Sequence, residues 1–345
     1  MRTRHPGIVS CSCCALRLVP MVMAAVLFMT SSISIGWAAP LMTVRYLAAQ
    51  GALGDWSPYV AADRGYFKDE GIDFQLKLLS QADIATALIS GRGDIGIASL
   101  PLVITAALTG APIKMISATQ MATPSGHYNN WWATLPNSSI NEPADLRGKK
   151  VDIYSQNSLA QAVTRDVLAK AGVKAGEYQE VSIPFPQTYS ALQGGLVNVG
   201  FFIEPFFSLG NRLSIKKYGK PLKVVYTYLT YFTKGIDLSA MLANTNFVAK
   251  NPNAVRAFLR ATTRAAKWGN AHPVELRKII AKYAGAPYKK IMNMIPSQMS
   301  EDGRPLPGVF DRLQALMIKY KMIPNFTSPL KPSAFLDLSY LPSAR

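Results

Sequence analysis

From residue 42 onward the chain alternates short β-rich runs with helical ones, and that alternation restricts it to α/β folds in which helices cover a largely parallel sheet. Met42 to Ala48 predicts a strand, Tyr59 to Glu70 has helical spacing and stops at Gly71, and Ile72 to Leu79 alternates apolar and polar residues as a strand does. Asp83 to Ser90 predicts a helix closed by Gly91, Ile95 to Ala98 a buried strand, Pro101 to Leu108 a short helix closed by Gly110, and Ile113 to Ala118 another strand.

A second unit repeats the scheme. Lys150 to Tyr154 predicts a strand, Ser158 to Ala171 a helix with a serine N-cap and Gly172 as its stop, and Glu180 to Ile183 a strand. Tyr189 to Gln193 predicts a short helix, with strands at Val199 to Ile203 and Val224 to Tyr228. The stretch from Ala87 to Gly96 (ALISGRGDIG) lies 104 residues before the one from Ala191 to Gly200 (ALQGGLVNVG), with Asp94 matched by Asn198 and Ile95 by Val199. Either the two halves share a design, or a helix, a glycine stop and a polar turn before a buried strand have arisen twice from local constraint. The last third is helical, with helices opening at Asn251-Pro252 and running over Pro273 to Tyr283 and Val309 to Lys321.

The start of the chain reads differently. Arg2, Arg4 and Arg17 form a basic region, Leu18 to Met29 is an apolar run, and Gly36-Trp37-Ala38 offers the small residues that signal peptidase prefers. Residues 1–38 are therefore expected to be a signal peptide cut after Ala38, and the remainder to be a soluble protein of the periplasm. An uncleaved anchor is the competing reading, since no charge falls between Leu18 and Val44, but Pro20 and the polar residues from Thr30 to Ser34 weaken it. All three cysteines, Cys11, Cys13 and Cys14, would leave with the leader, and with them any disulfide or thiolate metal site.

Of 345 residues 37 are basic and 20 acidic, a formal charge of +17 that raises the question of an anionic partner. Three of the basic residues lie in the leader, so +14 remains on the mature chain. Arg256, Arg260, Arg264 and Lys267 read as the charged face of an amphipathic helix, with no interleaved aromatic residues to stack bases. Lys216, Lys217, Lys220 and Lys223 read as a solvated loop. No nucleic-acid partner is expected.

The residues that carry chemistry are sparse. Beyond the leader, histidine is limited to His127 and His272, and no HExxH zinc motif, GxSxG elbow or GxxxxGKS phosphate loop occurs. Asp69 and Glu70 are adjacent at a helix end, where both are expected to face solvent. The inventory favours binding over catalysis, with no metal and no cofactor.

In open α/β sheets ligands collect at the carboxyl ends of strands, where loops meet helix N-termini. That rule selects Gly54 to Pro58, Ser80 and Gln81, and Ser99 to Pro101 in the first unit, and Ser155 to Leu159, Phe185 to Tyr189 and Glu204 to Phe207 in the second. These loops carry no Arg or Lys, whereas Asp55 and Glu204 are present. The ligand-binding candidates are Trp56, Ser80, Gln81, Ser99, Asn157, Ser158, Thr188 and Glu204. Trp56 sits in a polar loop, Ser99 and Ser158 stand at helix starts whose free N–H groups suit an acceptor, and Phe206 and Phe207 fit core or hinge packing. Glu204, if it faces the cleft, favours an amine, an aminopyrimidine or another donor over a sulfonate; if it ties the hinge backbone, that preference falls.

The stretch from Tyr59 to Ile72, with Gly65-Tyr66-Phe67 and Glu70-Gly71-Ile72, resembles the opening helix of nitrate/sulfonate/taurine-type solute-binding proteins of ABC importers. Ala87-Leu88 to Gly91 with Asp94-Ile95-Gly96, Asp145 to Val151, Glu204-Pro205-Phe206, Asn251-Pro252 and Asp337 to Leu341 follow in the order of that family. The resemblance implies a two-lobed periplasmic-binding-protein fold of type II with a ligand cleft between the lobes. Residues 42–124 and 232–345 would form lobe one, and residues 125–231 lobe two. It also implies an extracytoplasmic component, a monomer, that captures a small organic ligand of the sulfonate, nitrate, aromatic-acid or pyrimidine class and delivers it to an inner-membrane permease. Thiamine-pyrimidine synthases share the fold family and supply an enzyme alternative, but they carry a cysteine-rich motif and a cofactor lysine, and here the only cysteine cluster is in the leader. A basic surface or nucleic-acid interaction protein is the further alternative.

Overall fold

The computed structural model describes residues 41–49, 54–125, 130–156, 158–285 and 287–343. The expected signal peptide, His127 and Asn157 lie outside them. The first part of the chain forms β1 (Met42–Ala49), α1 (Ser57–Asp63), α2 (Tyr66–Asp69), β2 (Ile72–Leu79), α3 (Gln81–Ile89), β3 (Ile95–Ser99), α4 (Leu100–Leu108) and β4 (Ile113–Ala118). The middle forms β5 (Gln120–Ala122), β6 (Asn130–Thr134), β7 (Lys150–Asp152), α5 (Leu159–Lys170), β8 (Gln179–Val181), α6 (Thr188–Gln193), β9 (Gly200–Ile203), α7 (Phe206–Tyr218) and β10 (Lys223–Thr227). The last part forms β11 (Ile236–Asp237), β12 (Ser239–Asn244), α8 (Thr245–Lys250), α9 (Pro252–Ala271), α10 (Pro273–Tyr283), α11 (Tyr288–Ile291), β13 (Gln298–Met299) and α12 (Val309–Lys319).

Lobe one is built on a five-stranded sheet of order β2-β1-β3-β12-β4. β1 runs parallel to both neighbours, pairing Met42 with Ile72 and Tyr46 with Ile95. The sheet is only partly parallel, because β12 returns from the last third and runs antiparallel to β3 and β4. Every residue of β12 is buried, so it shows none of the polar alternation by which a half-exposed strand is read. The helix expected over Tyr59 to Glu70 is two helices, α1 and α2, because Gly65 between them adopts φ 74°. Long α9 covers this region with Val255, Phe258 and Leu259 fully buried, and Phe67 stacks on Phe74 at 4.3 Å and on Phe258 at 5.0 Å. Arg260 and Arg264 are not free solvent cations: they pair with Glu70 and Asp69, the acidic residues expected to face water.

Lobe two centres on an antiparallel sheet of order β10-β6-β9, with β7 and β8 as a separate parallel pair. All five residues of β6 are buried, and its two tryptophans serve opposite faces. Trp131 stacks on Phe207 at 4.1 Å, and Trp132 on Tyr226 at 4.5 Å. α7 was not foreseen in the sequence, and it places Lys216 and Lys217 in a helix's last turn, not in a loop. β5, β11 and β13 form a small antiparallel sheet. Among the described residues no helix is long and apolar enough to cross a membrane.

Candidate functional site

A cavity of about 640 Å³ lies between the two lobes, within the size range of small-molecule sites. One wall comes from β1, the loop after it, β3 and the start of α4; the other comes from the start of β6, the turn after β7, the start of α5, and Phe185, Phe201 and Tyr228. Ser99 stands at the N-cap of α4 without a side-chain cap bond, so its hydroxyl is not committed to the helix. On the opposite wall Ser158 caps α5, its Oγ accepting from Gln161 N at 3.1 Å and donating to the Ile153 carbonyl at 3.0 Å. Two helix N-termini therefore meet the cavity from different lobes, each offering N–H groups to an acceptor.

The electrostatics are set by one side chain. Asp55 is the single charged residue of the lining, and no Lys, Arg, His or Cys joins it among the described residues. Its residue exposure is 7%, and burial pushes its carboxyl up to about 7, opposed by the hydroxyls of Ser57, Thr119 and Tyr46. Oδ1 accepts from Ser57 Oγ at 3.3 Å, while Oδ2 has no hydrogen-bond partner. Tyr59 OH and Asn130 Oδ1, on residues of the same walls, are likewise unpartnered. Burial also raises Tyr59, so its hydroxyl is a neutral donor and acceptor. Buried oxygens without partners are costly, and these three all belong to residues that line the cavity.

Aromatic rings form the far wall. Tyr154 and Phe185 stack at 4.1 Å with 4° between their planes, and Phe201 lies 5.9 Å from Phe185. A flat apolar surface of this kind suits a planar ring.

Ser99 and Ser158, of the eight residues selected from the sequence, are on the cavity wall. Trp56 is in the core at 1% exposure: its indole N–H donates to the Ser297 carbonyl at 2.8 Å, and its ring packs on Gly269 of α9. The polar loop that suggested ligand contact turns Trp56 inward and gives the wall to Asp55 instead. Ser80 is exposed and donates to Asp83 Oδ2 at 2.6 Å. Gln81 opens α3, and its side chain, like Asn157, falls outside the described residues. Thr188 is fully buried behind the wall, its hydroxyl 3.4 Å from the Phe201 carbonyl.

Glu204 ties the backbone. Its Oε1 accepts from Ser208 Oγ at 2.7 Å and from Ile295 N at 3.3 Å, and its Oε2 accepts from Ser208 N at 3.3 Å. It thus fastens the first turn of α7 to a segment from the last third of the chain and is absent from the lining, where Asp55 is the one carboxyl group. Lining residues outside that selection include Asp55, Tyr59, Gln120, Asn130, Tyr154 and Ser239. Asn130 and Ser239 begin antiparallel strands, to which the carboxyl-end rule does not apply, and Tyr154 was read as strand. Among the described residues no group of His, Cys, Asp and Glu could hold a metal ion.

The alkanesulfonate-binding protein of Xanthomonas axonopodis pv. citri, solved bound to MOPS, is similar in structure with a TM-score of 0.65 at 17% identity, covering 87% of this chain and 99% of that one. The periplasmic nitrate-binding protein of Synechocystis PCC 6803 gives 0.66 at 15% identity, with 84% of each chain covered. These likenesses show the two-lobed periplasmic-binding-protein fold. In sequence the chain is 27% identical over 227 residues to the 4-amino-5-hydroxymethyl-2-methylpyrimidine phosphate synthase of Candida albicans, covering 63% of this chain and spanning 64% of that protein's length. The family model described as NMT1/THI5 like matches residues 57–276, well over half of the sequence. With the lobes, the intervening cavity and this match together, the chain belongs to the NMT1/THI5-like family.

Proposed function

We propose that this protein is the extracytoplasmic solute-binding component of an ABC importer and that it captures a flat nitrogen heterocycle bearing N–H donors, of the aminopyrimidine class, between its lobes. The observation that carries the reading is the composition of the cavity: one carboxyl group, two further unpartnered oxygens, an aromatic wall, and no cationic side chain among the described residues. A sulfonate or nitrate would meet hydroxyls, the side-chain amides of Gln120, Asn130 and Gln156 and two helix N-termini there, with no cationic side chain, and it would oppose ionisation of the Asp55 carboxyl. An aminopyrimidine places donors at Asp55 and Asn130, ring nitrogens within the field of the α4 and α5 N-termini, and its face on Tyr154. The pyrimidine in the name of the Candida relative's product has this chemistry.

Lobe one would comprise residues 42–124 and 232–345 and lobe two residues 125–231, with the β5 and β11 pairing at the crossover. Ligand contacts made by both lobes favour the closed form by their differential affinity for it, and that form would dock on a permease. Export through cleavage after Ala38, a periplasmic location and a monomeric state complete the proposal. The test is calorimetric titration of the leaderless protein with 4-amino-5-hydroxymethyl-2-methylpyrimidine, taurine and nitrate. Binding of the pyrimidine, weakened tenfold or more by Asp55→Asn, supports the reading. Tighter binding of taurine or nitrate overturns it.

The enzyme reading has one observation in its favour, the activity named for the Candida relative. Against it, no lysine or cysteine lines the cavity among the described residues, so the wall supplies neither an amine for a carbonyl cofactor nor a thiol. Product formation by the purified leaderless protein would restore it.

A further inference from the structure

Behind the aromatic wall lies a buried acid that is not itself part of the cavity lining. Asp152 ends β7 and is fully buried. Its Oδ1 accepts from Tyr154 N at 2.7 Å and from Ile183 N at 3.3 Å, and its Oδ2 accepts from Phe201 N at 3.1 Å. Those three amides belong to three different segments. The first carries Tyr154, the second leads two residues on to Phe185, and the third is β9 with Phe201; all three rings line the cavity.

We infer that Asp152 is the positioning residue of the ligand site's aromatic wall, its carboxylate setting the spacing of Tyr154, Phe185 and Phe201 through their backbone N–H groups. This rests on the reading of the cavity as a ligand site. Tyr154 shows why such a clamp is needed. It has φ 63°, left-handed backbone that a tyrosine adopts only when its surroundings enforce it, and Ser155 N closes the tight turn on the Ile153 carbonyl at 2.7 Å. The hydrogen bond from the Tyr154 N–H to Asp152 Oδ1 holds the residue in that conformation, in which its ring lies parallel to Phe185.

The chemistry favours an ionised carboxylate. Two oxygens accepting from three donors suit the anion best, since protonation weakens both as acceptors, whereas a carboxamide offers one oxygen and turns an NH2 group toward at least one of the N–H donors. Burial pushes the Asp152 acid up to about 6, held from rising further by these same amides and by Thr188. Tyr226 of β10 is raised first by burial and further by the charge of Asp152, so it stays neutral through this range. No other acid or base is hydrogen-bonded to Asp152 among the described residues.

The test has two arms. In the first, amide resonances of Tyr154, Ile183 and Phe201 in the ligand-free protein are followed from pH 3.5 to 8 by NMR. One common midpoint, abolished by Asp152→Asn, is expected; three separate midpoints, or no movement, would overturn the inference. Should Asp152→Asn not fold, the common midpoint in the unaltered protein decides. In the second arm, affinity for 4-amino-5-hydroxymethyl-2-methylpyrimidine is measured at pH 8. A roughly tenfold loss in Asp152→Asn is expected, and a lowered melting temperature with unchanged affinity would reduce Asp152 to a scaffold role. If the unaltered protein fails to bind that pyrimidine, the ligand proposal falls while the NMR arm still decides this one.

Discussion

Asp94 and Asn198 hold equivalent places in the two lobes and make the same bonds. Asp94 N donates to the Arg45 carbonyl at 2.9 Å while its Oδ2 accepts from Arg45 N at 2.8 Å; Asn198 N donates to the Lys150 carbonyl at 2.8 Å while its Oδ1 accepts from Lys150 N at 2.8 Å. Each side chain thus extends the ladder between the turn before β3 or β9 and the strand β1 or β7, and Gly91 at φ 71° and Gly195 at φ 72° end the preceding helices alike. The two differ in one respect. Asp94 also accepts from Arg45 Nε at 3.0 Å, a charge-assisted bond with no counterpart at Asn198. Asp94→Ala should therefore cost about 2–3 kcal/mol in urea unfolding and Asn198→Ala only about 1 kcal/mol. Equal losses would show that the ion pair adds nothing.

Gly269 exists to admit Trp56. A methyl group there would collide with the indole ring, which is fixed by its bond to the Ser297 carbonyl. Gly269→Ala gains helix propensity in α9, worth about 1 kcal/mol, but overpacking costs about 1–3 kcal/mol. The expected result is a net loss of stability with a changed Trp56 emission spectrum, measured by thermal unfolding and fluorescence. A stabilised protein with unchanged emission would count against this packing.

Many of the helices, glycine stops and strands of both lobes were legible because their periodicity and punctuation are local, although α7 and β6 were not read. The Ser158 cap is an example: its position before an apolar run announces it, and the bond to Gln161 N is there. β12 was hidden for the opposite reason, since burial on both faces erases alternation. At the site, the rule for strand ends found the loop from Gly54 to Pro58 but not which side chain faces the cavity. Trp56 and Asp55 are neighbours, and only the presence of Gly269, more than two hundred residues away, decides that the indole goes inward. Long-range complementarity of that kind leaves no mark within the loop itself.

Glu204 couples α7 to the segment around Ile295, so its removal should act on lobe movement before it acts on recognition. Its carboxyl is raised by burial and held down by Ser208 and the Ile295 amide. Glu204→Gln keeps one acceptor, and ligand selectivity should be unchanged while stability falls by about 1–2 kcal/mol. Glu204→Ala should in addition change the maximum dimension of the ligand-free protein in small-angle X-ray scattering. A switch in ligand preference with either variant would return Glu204 to the recognition site.

On the proposed function, Asp55 makes ligand capture a proton-linked event. Its folded acid is raised from 3.8 to about 7 by burial, so the ligand-free protein binds a proton that the unfolded chain has released by about pH 5. The ligand-free fold therefore loses stability as pH rises from about 4 to 7, and Asp55→Asn should flatten that part of the profile. A ligand that donates to Oδ2 favours the ionised carboxyl and must expel the proton to do so. Affinity should then climb with pH and level off above about 7, standing about tenfold below its plateau at pH 6. Calorimetry in two buffers of different ionisation enthalpy reads the release directly: close to one proton at pH 6, almost none at pH 8.5, and none at either pH in Asp55→Asn. An affinity independent of pH across this range, with binding otherwise intact, would show that the ligand meets Asp55 in its neutral form or not at all.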